Sequence, residues 1–184
     1  RLLYNYIWPC GLSHDLPPKF IEHTIDFIDY FEPNIDELND VLTTNKIFIE
    51  RSADVGILPA KVGINFGVSG PSLRGSGVNW DLRKNEPYSI YDKLDFNVPI
   101  GKGEMGTVGD CWDRYYVRVL EMKESVKIIR QACEGLPKGD VHGALPKKIR
   151  PEVGEVYGRY ESARGDVGFY IISNGKNVPL RVKM

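Results

Sequence analysis

The sequence predicts an α+β fold, a mostly helical core followed by a small antiparallel β-meander at the C-terminal end. Two observations carry this. Trp112, Tyr115, Val119, Met122, Val126, Ile129 and Cys133 recur at alternating steps of three and four, one apolar stripe along a single long helix. After residue 151 the pattern changes to period two, with strand-like runs at 155–160, 167–173 and 178–183.

In chain order, Pro17 and Pro18 precede an amphipathic stretch in which Phe20, Thr24, Phe27 and Phe31 share one stripe, with Ile21, Ile25 and Ile28 beside it. Pro33 is expected to kink or break that helix, and 34–42 resumes helical spacing. Residues 45–51 fit helix and strand equally, and 60–66 suit a short helix ending at Gly67. The glycine-rich run 67–78, GVSGPSLRGSGV, predicts a loop that bends sharply or approaches another backbone closely. Residues 79–102 read as irregular, with short extended pieces near 95–100. The long helix should start at a cap on Asp110, with Asp113 adding negative charge to its first turn, and stop at Gly135 and Pro137. A linker rich in proline and lysine, 137–151, leads to the strands. Arg164-Gly165 and Asn174-Gly175 lie between them, the latter a strong hairpin dipeptide. The expected organisation is one partial domain over 1–184: helical core 12–136, linker 137–151, sheet 152–184. Both ends fall within element-like stretches, so an internal piece of a longer protein is expected.

A formal net charge of -1 argues against a nucleic-acid binder. No apolar run reaches the length of a membrane span, so any work at a membrane should be peripheral. Cys10, Cys111 and Cys133 form no C-x-x-C pair and no metal-ligand spacing, and are read as reduced thiols. No metal site and no iron–sulfur cluster held by this chain is expected.

The usual catalytic motifs are missing. His14, His23 and His142 form no zinc motif, and no nucleophile elbow occurs. The run 67–78 looks like a phosphate loop but lacks its lysine ending. The carboxylate pairs Glu121/Glu124 and Asp110/Asp113 read as solvated faces or caps. Arg74, between glycines, could reach a carboxylate, a carbonyl or a partner with its planar fork. By themselves the residues name no reaction.

Several stretches together carry a resemblance. GPSLRGSGVNWDLRK (70–84) resembles a G-x-x-L-R-x-S-G-x-x-x-D-x-R-K motif, which PYSIYDKLDFNVPIG (87–101) continues. GDCWDRYYVRVLEMKESVKIIRQACEGLP (109–137) carries a D-R-x-x-x-R-x-x-E-M-x-x-S core. YIWPCGLSHDLP (6–17) is similar to R-P-G-G-V-x-x-D-L-P, and YESARGDVGFYIISNG (160–175) to E-x-P-[KR]-G-E-x-G-x-Y-x-x-S-x-G. In this order they resemble the hydrogenase-like quinone-site subunit of respiratory complex I (NADH:quinone oxidoreductase).

The resemblance implies a core of the nickel–iron hydrogenase large-subunit type, without nickel. It implies a peripheral place on the cytoplasmic face of the bacterial inner membrane, equivalent to the mitochondrial matrix side. The partners implied are an iron–sulfur subunit carrying the final cluster and other hydrophilic and membrane subunits. Quinone, with menaquinone one option, is the implied substrate, and its reduction is coupled to proton translocation. The family's catalytic tyrosine and histidine lie N-terminal to this stretch, so no catalytic residue is expected here. Arg164 matches the motif's arginine and, with Glu161, is the candidate for the quinone cavity or its water path. Arg74, Asp81 and Arg83 are candidates for fixing loops or touching partners. Trp8 and Trp80 are candidates for an interface buried in the complex.

Two departures stand out. Leu3 takes the place of a histidine near the partner's iron–sulfur cluster, with Trp8 and Cys10 replacing an arginine and a glycine. Ala163 replaces the proline of E-x-P-[KR]-G, which loosens that turn. Two alternatives stay open: the large subunit of a membrane-bound nickel–iron hydrogenase, and a non-catalytic scaffold paralogue.

Overall fold

A computed structural model describes residues 5–144 and 148–184. Leu3 lies outside them, as does part of the linker. The long helix is α6, Cys111–Glu134. The Asp110 carboxylate caps it by accepting from the Asp113 N–H at 2.8 Å, and the chain turns out at Gly135. α1, Phe20–Leu38, lies along it. Ile28, Ile35, Val119 and Val126 are buried between the two, packed by Ile25, Phe31, Tyr115, Tyr116 and Met122. Burying each large apolar side chain contributes about 1.5–3 kcal/mol, which makes this seam a large part of what holds α1 to α6.

One expectation about α1 needs correction. Pro33 neither breaks nor ends the helix, which runs five residues further to Leu38. Ile28 and Ile35 are buried on either side of the proline, and that burial outweighs the lost backbone bond of about 3 kcal/mol. Of the aromatic stripe, Phe31 packs on the core while Phe20 and Phe27 are exposed, and Ile25 and Ile28 beside it turn inward. A π-helical turn, Asn39–Thr43, then docks on α6: the Trp112 indole N–H donates to the Thr43 carbonyl at 3.4 Å.

The ambiguous stretch is helical, α2 Lys46–Ser52, capped by the Asn45 side chain. α3 spans Ala60–Asn65, with Gly67 at φ 67° just beyond. The predicted loop 67–78 contains a buried helix instead, α4 Gly70–Gly75. Pro71 presets its first turn. The glycines serve close approach: a Cβ on Gly75 would sit 2.8 Å from Arg114 Cγ, and one on Gly70, at φ 64°, would strike the Gly165 backbone. α5, Leu82–Asn85, and a 3₁₀ turn, Tyr91–Lys93, follow. Residues 95–100 form no strand, because their N–H groups bond α6 side chains rather than a neighbouring strand: Asp95 N–H to Gln131 and Asn97 N–H to Glu124, both at 2.8 Å.

A two-stranded hairpin near the N-terminus, β1 Ile7–Trp8 and β2 Gly11–Leu12, has no counterpart in the expectations. Part of the linker folds back on it, with Leu12 N–H bonding the Val141 carbonyl at 2.8 Å. The C-terminal meander is β3 Gly154–Ser162, β4 Gly165–Ser173 and β5 Arg181–Lys183, in that order and antiparallel. Ala163-Arg164 makes the tight β3–β4 turn. Asn174-Gly175 does not make a tight hairpin: β5 pairs only from Arg181, so the connection is a longer loop, and of the pair only Gly175 has positive φ. The three cysteines are unpaired.

Candidate functional site

The tight β3–β4 turn packs on α4, where Ser69 Oγ accepts from the Asp166 N–H at 2.9 Å. That contact brings β3, α4, α5 and α6 together around one guanidinium. Arg74, almost wholly buried, points its fork at two carboxylates. Its Nε and Nη2 lie 2.7 Å from Glu121 Oε1, and its Nη1 lies 2.9 Å from Glu161 Oε1. Nη1 also donates to the Trp80 carbonyl at 3.0 Å and stands 3.5 Å from Asp81 Oδ2.

Asp81 has no exposed surface. It caps α5 by accepting from the Arg83 N–H, and the Arg83 guanidinium grips both its oxygens, at 3.0 and 2.6 Å. Burial pushes the Asp81 carboxyl up, but the hydrogen bond and charge of Arg83 outweigh it and hold the group below the usual carboxylate range. Glu161 behaves in the opposite way. Burial raises its carboxyl above the usual range despite Arg74. The Tyr88 hydroxyl donates to its carbonyl and accepts from its N–H.

A cleft of about 430 Å³ opens beside this cluster, lined among others by Arg74, Arg83, Tyr91, Arg118, Glu121 and Glu161. Chemically the arrangement can hold and exchange protons and bind a polar group. Among the described residues no group of three or more His, Cys, Asp or Glu side chains could hold a metal ion.

Of the residues singled out in the sequence, Arg74, Asp81, Arg83 and Glu161 meet in this one cluster. Arg164 does not join them: its side chain is exposed at the β3–β4 turn, next to Ala163 at the rim of the cleft. Trp8 is half exposed on the N-terminal hairpin. Sequence reasoning misses two members. Glu121 reads as part of a solvated face, yet it accepts from Arg74, and nothing in the pattern singles out Tyr88. Glu121 is the glutamate of the E-M core of the long-helix motif, so a cue is present. The reading of Asp113 as a first-turn charge is incomplete. It is buried and also accepts from the Gly103 and Gly109 N–H groups at 3.0 and 3.2 Å, which ties down the loop before α6.

The family model described as respiratory-chain NADH dehydrogenase, 49 kDa subunit, matches residues 1–152 and 144–184. The chain belongs to that family. Among curated members, the corresponding NADH-quinone oxidoreductase subunit of Chlorobium phaeovibrioides is 54% identical over 100% of this chain and 47% of its own length. Its counterpart in Chlorobaculum tepidum is 52% identical with the same coverage. The chain therefore spans about half the length of these 49 kDa-subunit relatives. Among solved structures, a chain of the membrane-bound sulfane sulfur reductase, an archaeal respiratory membrane complex, superposes with a TM-score of 0.88. It is 32% identical, over 97% of this chain and 48% of that one. The hydrogenase-like core expected from the sequence is thus the shape of a respiratory complex subunit. No helix among the described residues is long and apolar enough to cross a membrane.

Proposed function

We propose that this chain forms part of the quinone-reducing module of NADH:quinone oxidoreductase, passing electrons from an iron–sulfur subunit to a bound quinone with coupled proton translocation. The observation that carries this is identity above half to curated members over the entire chain. Its partners on this reading are the subunit holding the final cluster and the complex's other hydrophilic and membrane subunits. Its place is peripheral, on the cytoplasmic face of the bacterial inner membrane. Arg164 then faces the quinone cavity or its water path, since an exposed guanidinium at a tight turn is free to meet a ligand oxygen that a partner brings to it. Trp8, exposed on its hairpin, suits an interface with that partner.

The test uses membranes carrying the intact protein. Arg164→Ala should slow NADH:quinone turnover roughly tenfold or more, the scale of one charged hydrogen bond of about 1.5–3 kcal/mol. NADH oxidation by an artificial acceptor reduced upstream of the quinone should not change. Equal quinone turnover in variant and parent removes Arg164 from the cavity. Quinone turnover that persists when the whole subunit is deleted would make the chain a scaffold paralogue.

Leu3 adds a finer proposal. A protonatable side chain beside an iron–sulfur cluster favours the reduced form, so leucine there lowers the potential and suits a low-potential acceptor such as menaquinone. A potentiometric titration of the final cluster followed by EPR checks this. A high, pH-dependent midpoint sinks it.

A further inference from the structure

The Arg74 cluster does not balance its own charge. Arg74, Asp81, Arg83, Glu121 and Glu161 come from four segments, and Arg74, Asp81 and Glu161 are almost fully out of water. With every group ionised, three carboxylates face two guanidiniums, and one negative charge is left over. An uncompensated charge in so dry a site is costly, and a carboxyl group relieves that cost by taking up a proton.

Geometry shows which carboxyl would take it. Asp81 is gripped by both arms of Arg83 and by the Arg83 N–H. Glu121 accepts from Arg74 Nε, has Nη2 at 2.7 Å from the same oxygen, and is the most solvent-exposed of the three carboxylates, so water shares its charge. Glu161 has one donor, Arg74 Nη1, on Oε1, while Oε2 meets only the Leu82 N–H at a long 3.4 Å. The other charged groups nearby do not supply the missing cation. Arg118, on the cleft wall, bonds the Arg114 carbonyl and Ser72 Oγ. Arg159, two residues back on β3, pairs with Glu86 and Asp166. Arg164 is exposed in the turn itself. Tyr88 and Tyr91 bring hydroxyls, the first to the Glu161 backbone and the second to the cleft wall.

We propose that this cluster holds one exchangeable proton on Glu161 and that the adjoining cleft is the proton's route to water. Uptake moves a proton from a hydronium ion in the cleft onto Oε2, leaving a water and breaking no other bond, and release returns the proton to water; no electron moves. Glu161, Arg74, Arg83 and Arg118 all contribute to the lining of the cleft, which sets the carboxyl beside it. The raised affinity of the Glu161 carboxyl for its proton agrees with this. The inference does not depend on the quinone reading.

Infrared difference spectroscopy of the intact protein across a pH series tests it. The carbonyl stretch of a protonated carboxylic acid should persist above the pH at which an ordinary glutamate ionises, shift in heavy water and vanish in one step as pH rises further. In Glu161→Gln that one-step band should be missing. Its persistence in a folded Glu161→Gln protein overturns the proposal. Glu121→Gln provides a second test, should the first variant fail to fold. Removing one negative charge leaves two carboxylates against two guanidiniums, so the Glu161 band should titrate at a pH at least tenfold more acidic in proton concentration. A band unmoved by Glu121→Gln, or no protonated carboxyl in the parent at any pH above the ordinary carboxylate range, also overturns it.

Discussion

One guanidinium, that of Arg74, serves Glu121, Glu161 and the Trp80 carbonyl at 2.7, 2.9 and 3.0 Å, out of contact with water. Removing it strands two carboxylates in a dry site. Arg74→Ala should therefore cost about 3–5 kcal/mol in denaturant unfolding of the intact protein. Arg74→Lys should recover only part, because one ammonium cannot reproduce the fork. Arg118→Ala, on the exposed side of the same cleft, should fall within about 0.5 kcal/mol of the parent. Equal losses at 74 and 118 would mean that burial does not set the strength of these contacts. The pH dependence follows from the opposite shifts of two carboxyls. Asp81 binds its proton more weakly in the folded state, so its contribution is present above its unfolded value, near 3.8, and is lost as pH falls through the lower folded value. Glu161 binds its proton more tightly when folded. Its contribution is full below the unfolded value, near 4.5, and is lost as pH rises through the higher folded one. Asp81→Asn should flatten the acid limb of a stability–pH curve and Glu161→Gln the limb above it. Unfolding midpoints across pH measure both.

The elements differ in how far the sequence discloses them. α6 can be read from end to end, because its apolar spacing, Asp110 cap and Gly135 stop are all local features. The strands of the meander are likewise readable from their alternation, although the β4–β5 connection is not. α4 is hidden, since a helix of Gly-Pro-Ser-Leu-Arg-Gly has poor intrinsic propensity and exists because two backbones press on its glycines. The Arg74 cluster is half visible: its members sit in recognisable motifs, but their convergence depends on residues as far apart as 74 and 161. The buried face of α1 is not legible because aromatic residues lie on more than one side, and only packing against α6 chooses among them. That choice is testable. Ile28→Ala should cost about 2–5 kcal/mol, as core deletions do, whereas Phe27→Ala, on the exposed face, should cost the chain alone less than about 0.5 kcal/mol. Urea midpoints of the two variants that come out in the reverse order would place Phe27 in the core. Gly70→Ala tests the α4 contact in the same assay: a side chain at φ 64° against the Gly165 backbone should cost about 1–3 kcal/mol.

At the scale of the whole molecule, the accessible surface is 13035 Å². A compact monomer of 20.8 kDa would expose about 9,000 Å². Part of the surplus is apolar: Ile7, Phe66, Val153, Val156, Tyr157, Val178, Leu180 and Val182 are all more than half exposed, several of them on or beside the meander. Apolar surface gathered in this way marks a contact face or an aggregation-prone one. The curated relatives are about twice this length, and on the function proposed above the further chain and the partner subunits would cover this surface. The chain alone should therefore bind the dye ANS strongly and form soluble aggregates. Within the intact subunit and its complex the same residues should be protected from hydrogen exchange and dye. Light scattering and ANS fluorescence, measured on the chain alone and on the intact complex, separate the cases. A chain that stays monomeric and dark to the dye at micromolar concentration would show that it buries its own apolar surface in solution, in an arrangement more compact than this one. The contacts between the meander and α4, which position Glu161, would be the first to differ in such an arrangement.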